Sequence, residues 1–481
     1  MGTGPLFPSS HRCYRVAVPT APFLRTRFIC HALDLPSPES DVIFARAWTD
    51  SRTVDPGDLF VAVKGDRFDG HDFIDQALSR GATGVLCRKD RVVTGDPRFL
   101  GVDDPLVAFR RLARAWRDLF DIPVIAVAGS VGKTTTKELL AAMLRGRWAR
   151  VLSTEGSFNG FIGIPITLLR LRPGDEAAVI EIGIDAPGAM QSHLETVRPT
   201  AAVVTAVAHE HLETLRDLDT IAREESLPLL WTHARGGRVA VNAGDAHLAG
   251  VGLSGERAVY FGLERRPANL PAGAGWRGGR YEPVRRELIL DGEKEPLALP
   301  LPGAHNAANA LAAVVAAGLV GVTVGEMRRG LAGFTPPMGR SEISQTRGIH
   351  VLRDHYNASP ASVRAGLLLL TELSKDARRW VCLGDMLELG PDELPLHAEL
   401  AEPLIAAGPS RALLFGRRMA ALARELQSRG WGDRVTHALE IGTLARELVR
   451  GVRPGDWVLV KGSRGMKMER LLEALEAGGK Q

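Results

Sequence analysis

A glycine-rich turn between an apolar run and a helical pattern is the strongest chemical signal in the sequence. Residues 128–136 read AGSVGKTTT and follow the short apolar run at 123–128. Small residues let successive backbone N–H groups point at phosphate oxygens, and a helix N-terminus adds partial positive charge. Lys133 is expected to reach the terminal phosphates of a nucleotide, and the Thr134 hydroxyl to ligate Mg²⁺. The residues predicted to form this phosphate site are Gly129, Ser130, Val131, Gly132, Lys133, Thr134 and Thr135.

Two further polar groups lie at the ends of other apolar runs. Glu181 lies near the end of the run at 177–182, at the edge of a sheet where ligands bind, and carboxylate oxygens suit Mg²⁺. Residues 208–213 read AHEHLE directly after the run at 202–207, and two His and two Glu could hold a metal. Their spacing is not the HExxH of zinc proteases. An ordinary hydrogen-bonded loop histidine is the alternative at this position.

Other polar segments suit the remaining parts of a nucleotide. Within residues 303–309, Asn306 can hydrogen-bond a base edge and His305 can stack on a base, although a helix cap uses the same residue types. Residues 49–52 (TDSR) and 64–72 (KGDRFDGHD) suit a diphosphate or a nucleotide sugar, and surface loops have a similar composition. Residues 339–342 (GRSE) and 354–357 (DHYN) place a charge beside turn residues, as surface ion pairs also do.

Composition limits the class of protein. The 481 residues contain 60 Lys and Arg against 56 Asp and Glu, and the basic residues are scattered among the acids, so no nucleic-acid partner is expected. No run of about 18 apolar residues exists, so no membrane span is expected. Four distant cysteines and the lack of a signal-peptide core predict a chain that stays in the cytoplasm.

The order of the apolar runs indicates the fold class. From residue 123 onward, short apolar runs alternate with helical patterns, which is typical of α/β proteins with parallel sheets. Residues 265–302 are rich in Gly, Pro and charge and predict hairpins. A second open sheet is expected beyond residue 337, with a single helix over residues 395–407 among its helices.

Taken in order, these segments resemble the Mur ligases. The last three segments that carry the resemblance are similar to the members that add D-alanyl-D-alanine and unlike those that add diaminopimelate or lysine. The matching segments are DSR (50–52), GDRFDGHDF (65–73), GSVGKTTTKE (129–138), FNGFIGIPITLL (158–169), EIG (181–183), HLE (211–213), GAHNAANAL (303–311), GRSE (339–342), DHYNASP (354–360), GDMLELG (384–390) and KGSRGMKME (461–469).

The resemblance implies a three-domain α/β ligase. A small UDP-sugar-binding domain is expected over residues 1–105, with 1–30 as a loose extension. A central ATPase domain with a P-loop-type parallel sheet is expected over 106–334, and a Rossmann-like ligase domain over 335–481. The implied cofactors are ATP and Mg²⁺, and the implied substrates are UDP-N-acetylmuramoyl-tripeptide and D-alanyl-D-alanine. These are joined through an acyl phosphate in peptidoglycan precursor synthesis, and a monomer is expected.

The resemblance also assigns roles to individual residues. His211 matches a ligand of a second metal, and Arg340 and Asp354 match nucleotide contacts made after the last domain closes. Where the family usually has a lysine that becomes carbamylated, this chain has Glu225. We hypothesise that Glu225 supplies the metal-binding carboxylate directly, and an impaired second metal site is the alternative. The implied catalytic residues are Lys133, Glu181, His211, Arg340 and Asp354; the implied substrate contacts are Ser51, Arg52, Lys64, Asp69, Gly70, His71, Asn159, Tyr356 and Asn357; and His305 and Asn306 are implied nucleotide contacts.

Three other functions stay open at this point. The first is a related ligase with another carboxylate or amine, of the folylpolyglutamate or cyanophycin type, against which the UDP-sugar segments argue. The second is a non-catalytic nucleotide-binding protein that kept the fold. The third is a nucleotide-dependent switch, which the lack of an Asn-Lys-x-Asp segment disfavours.

Overall fold

A computed structural model describes residues 24–65, 68–263 and 265–478, which form three sheets in three consecutive segments of the chain. The strands of the first segment pair in sequence order, and every pair is parallel. Its elements are α1 (Thr26–Leu33), β1 (Ala47–Trp48), β2 (Leu59–Val61), α2 (Ile74–Ser79), β3 (Gly84–Arg88), β4 (Phe99–Val102) and α3 (Pro105–Arg117).

The first helix corrects the prediction for the N-terminus. The expected loose extension over residues 1–30 is wrong for residues 24–30, because Ile29 and Cys30 of α1 are buried. The ring of Phe28 packs edge-on against Trp116 of α3, with 5.3 Å between centroids. Residues 1–23 lie outside the described residues.

The second segment contains a nine-stranded sheet. Its elements are β5 (Val124–Ala128), α4 (Lys133–Arg145), β6 (Val151–Ser153), α5 (Gly163–Leu168), β7 (Ala177–Glu181), α6 (Ala189–Val197), β8 (Ala201–Val204), α7 (Leu212–Leu215), α8 (Leu218–Ala234), β9 (Arg238–Asn242), α9 (Ala246–Ala249), β10 (Ala258–Gly262), β11 (Gly275–Glu282), β12 (Glu287–Leu290), β13 (Leu297–Ala298), α10 (Ala304–Leu319) and α11 (Val324–Leu331). The strands lie in the order β13-β12-β11-β10-β9-β8-β5-β7-β6, and the pairing is antiparallel only between β11 and β12 and between β12 and β13.

Strand β5 positions the glycine-rich turn. All its residues are fully buried, as an apolar strand covered by helices on both faces requires. It pairs with β8 on one side and β7 on the other, so the chain order of the strands reverses here. Ligands bind beyond the carboxyl ends of the strands at such a reversal. The turn at residues 129–132 leads from this point into α4.

The third segment contains a six-stranded sheet in the order β14-β15-β19-β16-β17-β18, parallel except for β14. Its elements are β14 (Glu342–Thr346), β15 (Ile349–Arg353), α12 (Pro360–Ser374), β16 (Arg379–Gly384), α13 (Glu393–Ala398), α14 (Ala401–Ala407), β17 (Arg411–Phe415), α15 (Met419–Ser428), β18 (Val435–Ala438), α16 (Ile441–Gly451), β19 (Trp457–Lys461) and α17 (Glu469–Ala477). The predicted α/β class is confirmed, whereas the domain boundaries stay a proposal.

One predicted helix is wrong in its continuity. Residues 395–407 belong to two helices, α13 and α14. Pro403 is the third residue of α14, and a proline ring clashes with the carbonyl four residues earlier and lacks an N–H. The first helix therefore ends before it.

None of the helices among the described residues combines the length and the apolar character that a membrane span needs.

Two glycines let α4 and α11 cross in direct backbone contact. A Cβ on Gly330 would lie 2.0 Å from the Ala142 carbonyl oxygen, and one on Gly146 would lie 1.9 Å from that of Glu326. We expect Gly330→Ala to lower the free energy of unfolding by about 1–3 kcal/mol, because the helices must separate. Urea unfolding measures this. Gly333→Ala is the control, since its Cβ meets nothing within 4 Å; equal stability of the two variants would contradict the contact.

Candidate active site

The turn after β5 needs glycine at two positions. Gly129 and Gly132 have φ angles of +119° and +86°, which L side chains rarely adopt. A Cβ on Gly129 would lie 2.2 Å from Thr205 Oγ1, and one on Gly132 would lie 2.2 Å from Asn309 Oδ1. The Thr205 hydroxyl also donates to the Val131 carbonyl at 2.6 Å. The turn is therefore fixed between the end of β8 and helix α10.

Two backbone N–H groups of the turn have partners within the protein. The N–H of Gly129 donates to Glu225 Oε2 at 2.6 Å, and that of Ser130 donates to the Ala206 carbonyl at 2.7 Å. The expectation that these two N–H groups point at phosphate is thus wrong. The first N–H groups of α4, from Lys133 onward, have no intrahelical acceptor and remain for an anion.

Lys133 lies among three carboxylates. Its Nζ is 3.3 Å from both Glu210 Oε1 and the Ser130 carbonyl oxygen. Burial lowers the pKa of Lys133, but the charges of Glu210, Glu225 and Glu181 outweigh this and raise it overall. The ammonium group therefore stays charged, as phosphate binding requires.

Glu225 is fully buried on α8 beneath the turn. Its Oε2 accepts the Gly129 N–H, while Oε1 has no partner among the described residues. Burial, together with the neighbouring Glu210 carboxylate, raises the pKa of Glu225 to about 8, against the opposing charge of Lys133. A buried carboxylate oxygen without a partner is costly and suits a ligand that is not a protein atom.

Glu181 ends β7 in a second buried network. Asn159 Nδ2 donates to its Oε1 at 2.8 Å, and Lys137 Nζ lies 3.9 Å from its Oε2, which has no hydrogen-bond partner among the described residues. The fully buried Lys137 also donates to the Thr154 carbonyl at 2.6 Å and the Gly156 carbonyl at 3.3 Å. Lys137 thus joins Glu181 to the loop that carries Asn159.

His211 meets the third segment. Its Nδ1 lies 2.7 Å from Glu388 Oε2, and this hydrogen bond raises the pKa of His211 and lowers that of Glu388. Lys133 and Glu210 also act on the His211 charge, so the imidazole lies near the phosphate site. Among the described residues, no three His, Cys, Asp or Glu side chains form a metal cluster.

Asp354 of the third segment is held by several partners. Lys461 Nζ donates to its Oδ2 at 2.6 Å, and the Ser341 N–H donates to its Oδ1 at 3.1 Å. Lys461 also donates to the Asn357 carbonyl at 3.0 Å. His305 Nε2 lies 3.2 Å from Ser341 Oγ, so the start of α10 contacts this group, and burial lowers the pKa of His305.

Tyr356 links the second and third segments. Its hydroxyl lies 2.6 Å from Ser157 Oγ, and the Arg340 guanidinium lies over its ring at 4.3 Å from the centroid. The loop containing Ser157 also meets the first segment, because Phe158 packs edge-on against Trp48 with centroids 6.1 Å apart. All three segments therefore meet at the loop of residues 154–160.

Some residues that are predicted to bind the UDP-sugar are exposed, and most of them already bond to other protein atoms. The exposed Arg52 pairs with Asp50 at 2.7 Å, the exposed Lys64 forms a β-bridge with Asp69, and the Ser51 hydroxyl donates to Gln76. A Cβ on Gly70 would lie 2.7 Å from the Val63 carbonyl oxygen, so this glycine allows a close backbone approach.

One predicted contact, His71, is corrected because both ring nitrogens already have protein partners. The buried His71 bonds Asp69 through Nδ1 and accepts the Arg88 N–H at Nε2, so neither ring nitrogen is available for a ligand. The buried Asn306 donates its amide to the Pro302 carbonyl at 2.7 Å, and its contact with a nucleotide stays a prediction. Asn309, one helical turn later, lies at the glycine-rich turn.

The free donors fit a hard divalent cation. Glu181 Oε2, Glu225 Oε1 and the buried Ser130 hydroxyl lack partners among the described residues, and Thr134 lies in the first turn of α4. All are oxygen atoms, which Mg²⁺ prefers, and Mg²⁺ sites commonly combine one or two carboxylates with substrate phosphates and water. The donor set therefore suits a cation shared with a phosphate ligand.

The fold and this site define an α/β protein in which a glycine-rich turn follows the buried parallel strand β5, and in which three segments meet at the nearby loop of residues 154–160. Family models match in the same three places: the catalytic domain of the Mur ligase family over residues 48–121, the Mur ligase middle domain over 127–317, and the Mur ligase glutamate ligase domain over 339–464. Together they cover more than half of the chain. The chain belongs to the Mur ligase family.

Individual relatives are similar over nearly their whole length. The UDP-N-acetylmuramoyl-tripeptide–D-alanyl-D-alanine ligase of Bacillus subtilis is 33% identical over 92% of this chain and 94% of its own. That of Escherichia coli is 33% identical over 92% and 95%. A crystal structure of MurF from Acinetobacter baumannii has a TM-score of 0.82 at 26% identity, covering 95% of this chain and 99% of that one. MurF ligase from Thermotoga maritima in complex with ADP has a TM-score of 0.76 at 26% identity, covering 90% and 98%.

The Lys137 network gives a stability prediction. We expect Lys137→Met to lower the free energy of unfolding by about 3–5 kcal/mol, because it removes a buried ammonium that pairs with Glu138 at 2.7 Å and Glu181 at 3.9 Å. In the double variant with Glu181→Gln, the loss falls below the sum of the single losses by about 0.5–3 kcal/mol. Denaturant unfolding measures the cycle, with the exposed Lys89→Met as the control. Strictly additive losses would mean that the two side chains do not interact.

Proposed function

We propose that this protein is an ATP-dependent ligase that joins D-alanyl-D-alanine to UDP-N-acetylmuramoyl-tripeptide, a step of peptidoglycan precursor synthesis that releases ADP and phosphate. The observation that carries the proposal is the glycine-rich turn with the charged Lys133 paired with Glu210, next to which His211 contacts Glu388 of the third segment. Tyr356 and Arg340 of the same segment meet the central segment at Ser157. Similarity to ligases of this name over 92% of the chain supports the choice of substrates.

The chemistry explains why a phosphate site and a peptide site must adjoin. A carboxylate is a poor electrophile, because its charge repels nucleophiles and its oxygen is a poor leaving group. One carboxylate oxygen bonds to the γ-phosphorus of ATP while the bond to ADP breaks, which gives an acyl phosphate. The dipeptide amine then attacks the carbonyl carbon and loses a proton, and phosphate leaves. The protein aligns these reactants and offsets the charge between two anions.

The central segment holds the nucleotide phosphates in this proposal. Lys133 and the first N–H groups of α4 bind the β- and γ-phosphates. Bound Mg²⁺ supplies charge neutralisation of the phosphates, and Thr134, Glu181, Glu225 and His211 are the residues that would hold it. His305 at the start of α10 contributes to the adenosine side of the cleft.

The outer segments bind the two remaining substrates. Ser51, Arg52, Lys64 and Asp69 surround the UDP-sugar, with Gly70 allowing the backbone to approach. Asn159 contacts the peptide and orients Glu181. Tyr356 and Asn357 contact substrate from the third segment, while Arg340 and Asp354 complete the nucleotide site.

We further propose that the domain boundaries lie near residues 105 and 335 and that the protein is a monomer. We also propose a cytoplasmic location, where ATP and UDP-linked precursors occur.

Two alternatives have distinct signatures. A related ligase would turn over ATP with another carboxylate or amine, as the structural likeness to folylpolyglutamate synthase allows at the level of the fold. A non-catalytic homologue would bind nucleotide without releasing phosphate. The buried and charged Lys133 argues against loss of activity.

A phosphate-release assay tests the proposed function. We expect ATP-dependent phosphate release only when both UDP-N-acetylmuramoyl-tripeptide and D-alanyl-D-alanine are present, with a panel of other dipeptides as the comparison. Lys133→Ala is expected to lower kcat by at least about 100-fold, because the charge that stabilises the transferring phosphoryl group is lost. Release with a different amine would keep the ligase class and overturn the substrate.

Glu225 has a test of its own. If its carboxylate binds Mg²⁺, Glu225→Gln should raise the magnesium concentration needed for half-maximal phosphate release by about 10-fold or more. If its role is only to accept the Gly129 N–H, the amide oxygen of Gln still accepts it and the magnesium dependence stays unchanged. Asp219→Asn, an exposed change on the same helix α8, is the control. An unchanged magnesium dependence in Glu225→Ala as well would reject the metal role.

A further inference from the structure

One side chain of the third segment contacts a predicted catalytic residue of the second. Glu388 Oε2 lies 2.7 Å from His211 Nδ1, and Glu388 belongs to the loop between β16 and α13. No role in the proposed reaction has so far been given to Glu388. The pair brings the third segment to a histidine on which the charges of Glu210 and Lys133 also act.

Both members of this pair have an uncommon backbone conformation. His211 has φ +49° and Glu388 has φ +65°, in the left-handed region that residues other than glycine rarely adopt. Such conformations cost free energy and persist where the surrounding structure enforces them, and they cluster at functional sites. His211 and Glu388, which face each other across the contact between the two segments, both have such a conformation. The surrounding structure therefore holds this contact in place despite the free-energy cost of the two conformations.

The backbones on either side of the pair also fit closely. Gly390 has φ +62°, and a Cβ there would lie 3.1 Å from the Leu212 carbonyl carbon and oxygen and 3.2 Å from the Glu213 nitrogen. Glycine therefore permits the loop to lie directly on the turn that carries His211. The contact is a fitted surface and does not depend on one ion pair alone.

The third segment fixes the loop before it reaches His211. The N–H of Met386 donates to Nε2 of the buried His397 at 3.0 Å, and that of Leu387 donates to Ser463 Oγ at 2.9 Å. Glu388 thus extends from a loop that its own segment holds in place. Movement of the third segment as a unit would carry Glu388 to or from His211.

We propose that Glu388 is a positioning residue: its carboxylate holds the Nδ1–H of His211, so that Nε2 presents its lone pair to the phosphate-binding centre when the third segment is docked. In a neutral imidazole one nitrogen carries the proton and the other accepts, so a carboxylate on Nδ1 determines which nitrogen is free. Histidines that bind metals are commonly oriented by such a carboxylate. The inference rests on the proposed function. It adds that the cation site is complete only when Glu388 of the third segment contacts His211.

The test measures cation binding apart from turnover. Mn²⁺ is titrated into the full-length protein with ADP, and bound Mn²⁺ is followed by electron paramagnetic resonance. We expect Glu388→Ala to weaken Mn²⁺ binding by about 10- to 100-fold and to lower kcat similarly. The KM for UDP-N-acetylmuramoyl-tripeptide should stay within twofold. Glu388→Gln should be intermediate, because its amide oxygen still accepts the hydrogen bond without the charge.

The control is Glu399→Ala, on a third-segment glutamate with the same 58% side-chain exposure and an ion pair elsewhere, with Arg364. It should bind Mn²⁺ like the parent protein. Unchanged Mn²⁺ binding in Glu388→Ala would overturn the proposal. A raised KM for the dipeptide with unchanged Mn²⁺ binding would overturn it too, and would make Glu388 a contact of the incoming amine. If the parent protein releases no phosphate with the named substrates, the proposed function fails, while the Mn²⁺ titration still decides the role of Glu388.

Discussion

The site depends on one ammonium group placed among three carboxylates. Lys133 acts with Glu210, Glu225 and Glu181 in a mostly buried centre, where a unit charge pair about 4 Å apart interacts by about 4 kcal/mol at an effective dielectric constant of 20. Burial and the nearby Glu210 raise the pKa of Glu225 to about 8, against the opposing charge of Lys133. The phosphates of a nucleotide would bring further negative charge to these carboxylates, which causes repulsion. Divalent cations remove the repulsion, which gives an electrostatic reason for the magnesium in the proposed mechanism.

One of these carboxylates also shapes the turn. Glu225 accepts the Gly129 N–H, and the Thr205 hydroxyl lies within hydrogen-bonding distance of the carbonyls of Ala128, at the end of β5, and of Val131, within the turn. Glu225 therefore contributes both to the geometry of the proposed phosphate site and to its charge. A change that relieved the charge by removing Glu225 would also release the N–H that shapes the turn, and this links the unusual acid at position 225 to the fold as well as to the chemistry.

The sequence was sufficient to predict contiguous motifs and strands whose residues are all apolar. The phosphate turn is a contiguous motif, and strands such as β5 are predictable because both faces are buried. The edge strands β14 and β18 were not predicted, because edge strands are half-exposed and mix polar with apolar residues. Contacts such as Lys137 with Thr154 or Glu388 with His211 join residues that only folding brings together. Lys137 and Glu388 stand out in the sequence as charged residues inside the motifs GKTTTK and GDMLELG. The sequence does not show which residue each of them contacts.

The arrangement of the third segment explains how several of its residues can act together. Lys461 bonds both Asp354 and the Asn357 carbonyl, and Asp354 in turn accepts the N–H of Ser341, the residue after Arg340. Because Asp354 accepts hydrogen bonds from both Lys461 and the Ser341 N–H, the loops that carry Arg340 and Asp354 are tied together. In the proposed mechanism, movement of the third segment would carry both residues together, so their proposed nucleotide contacts would form in one step.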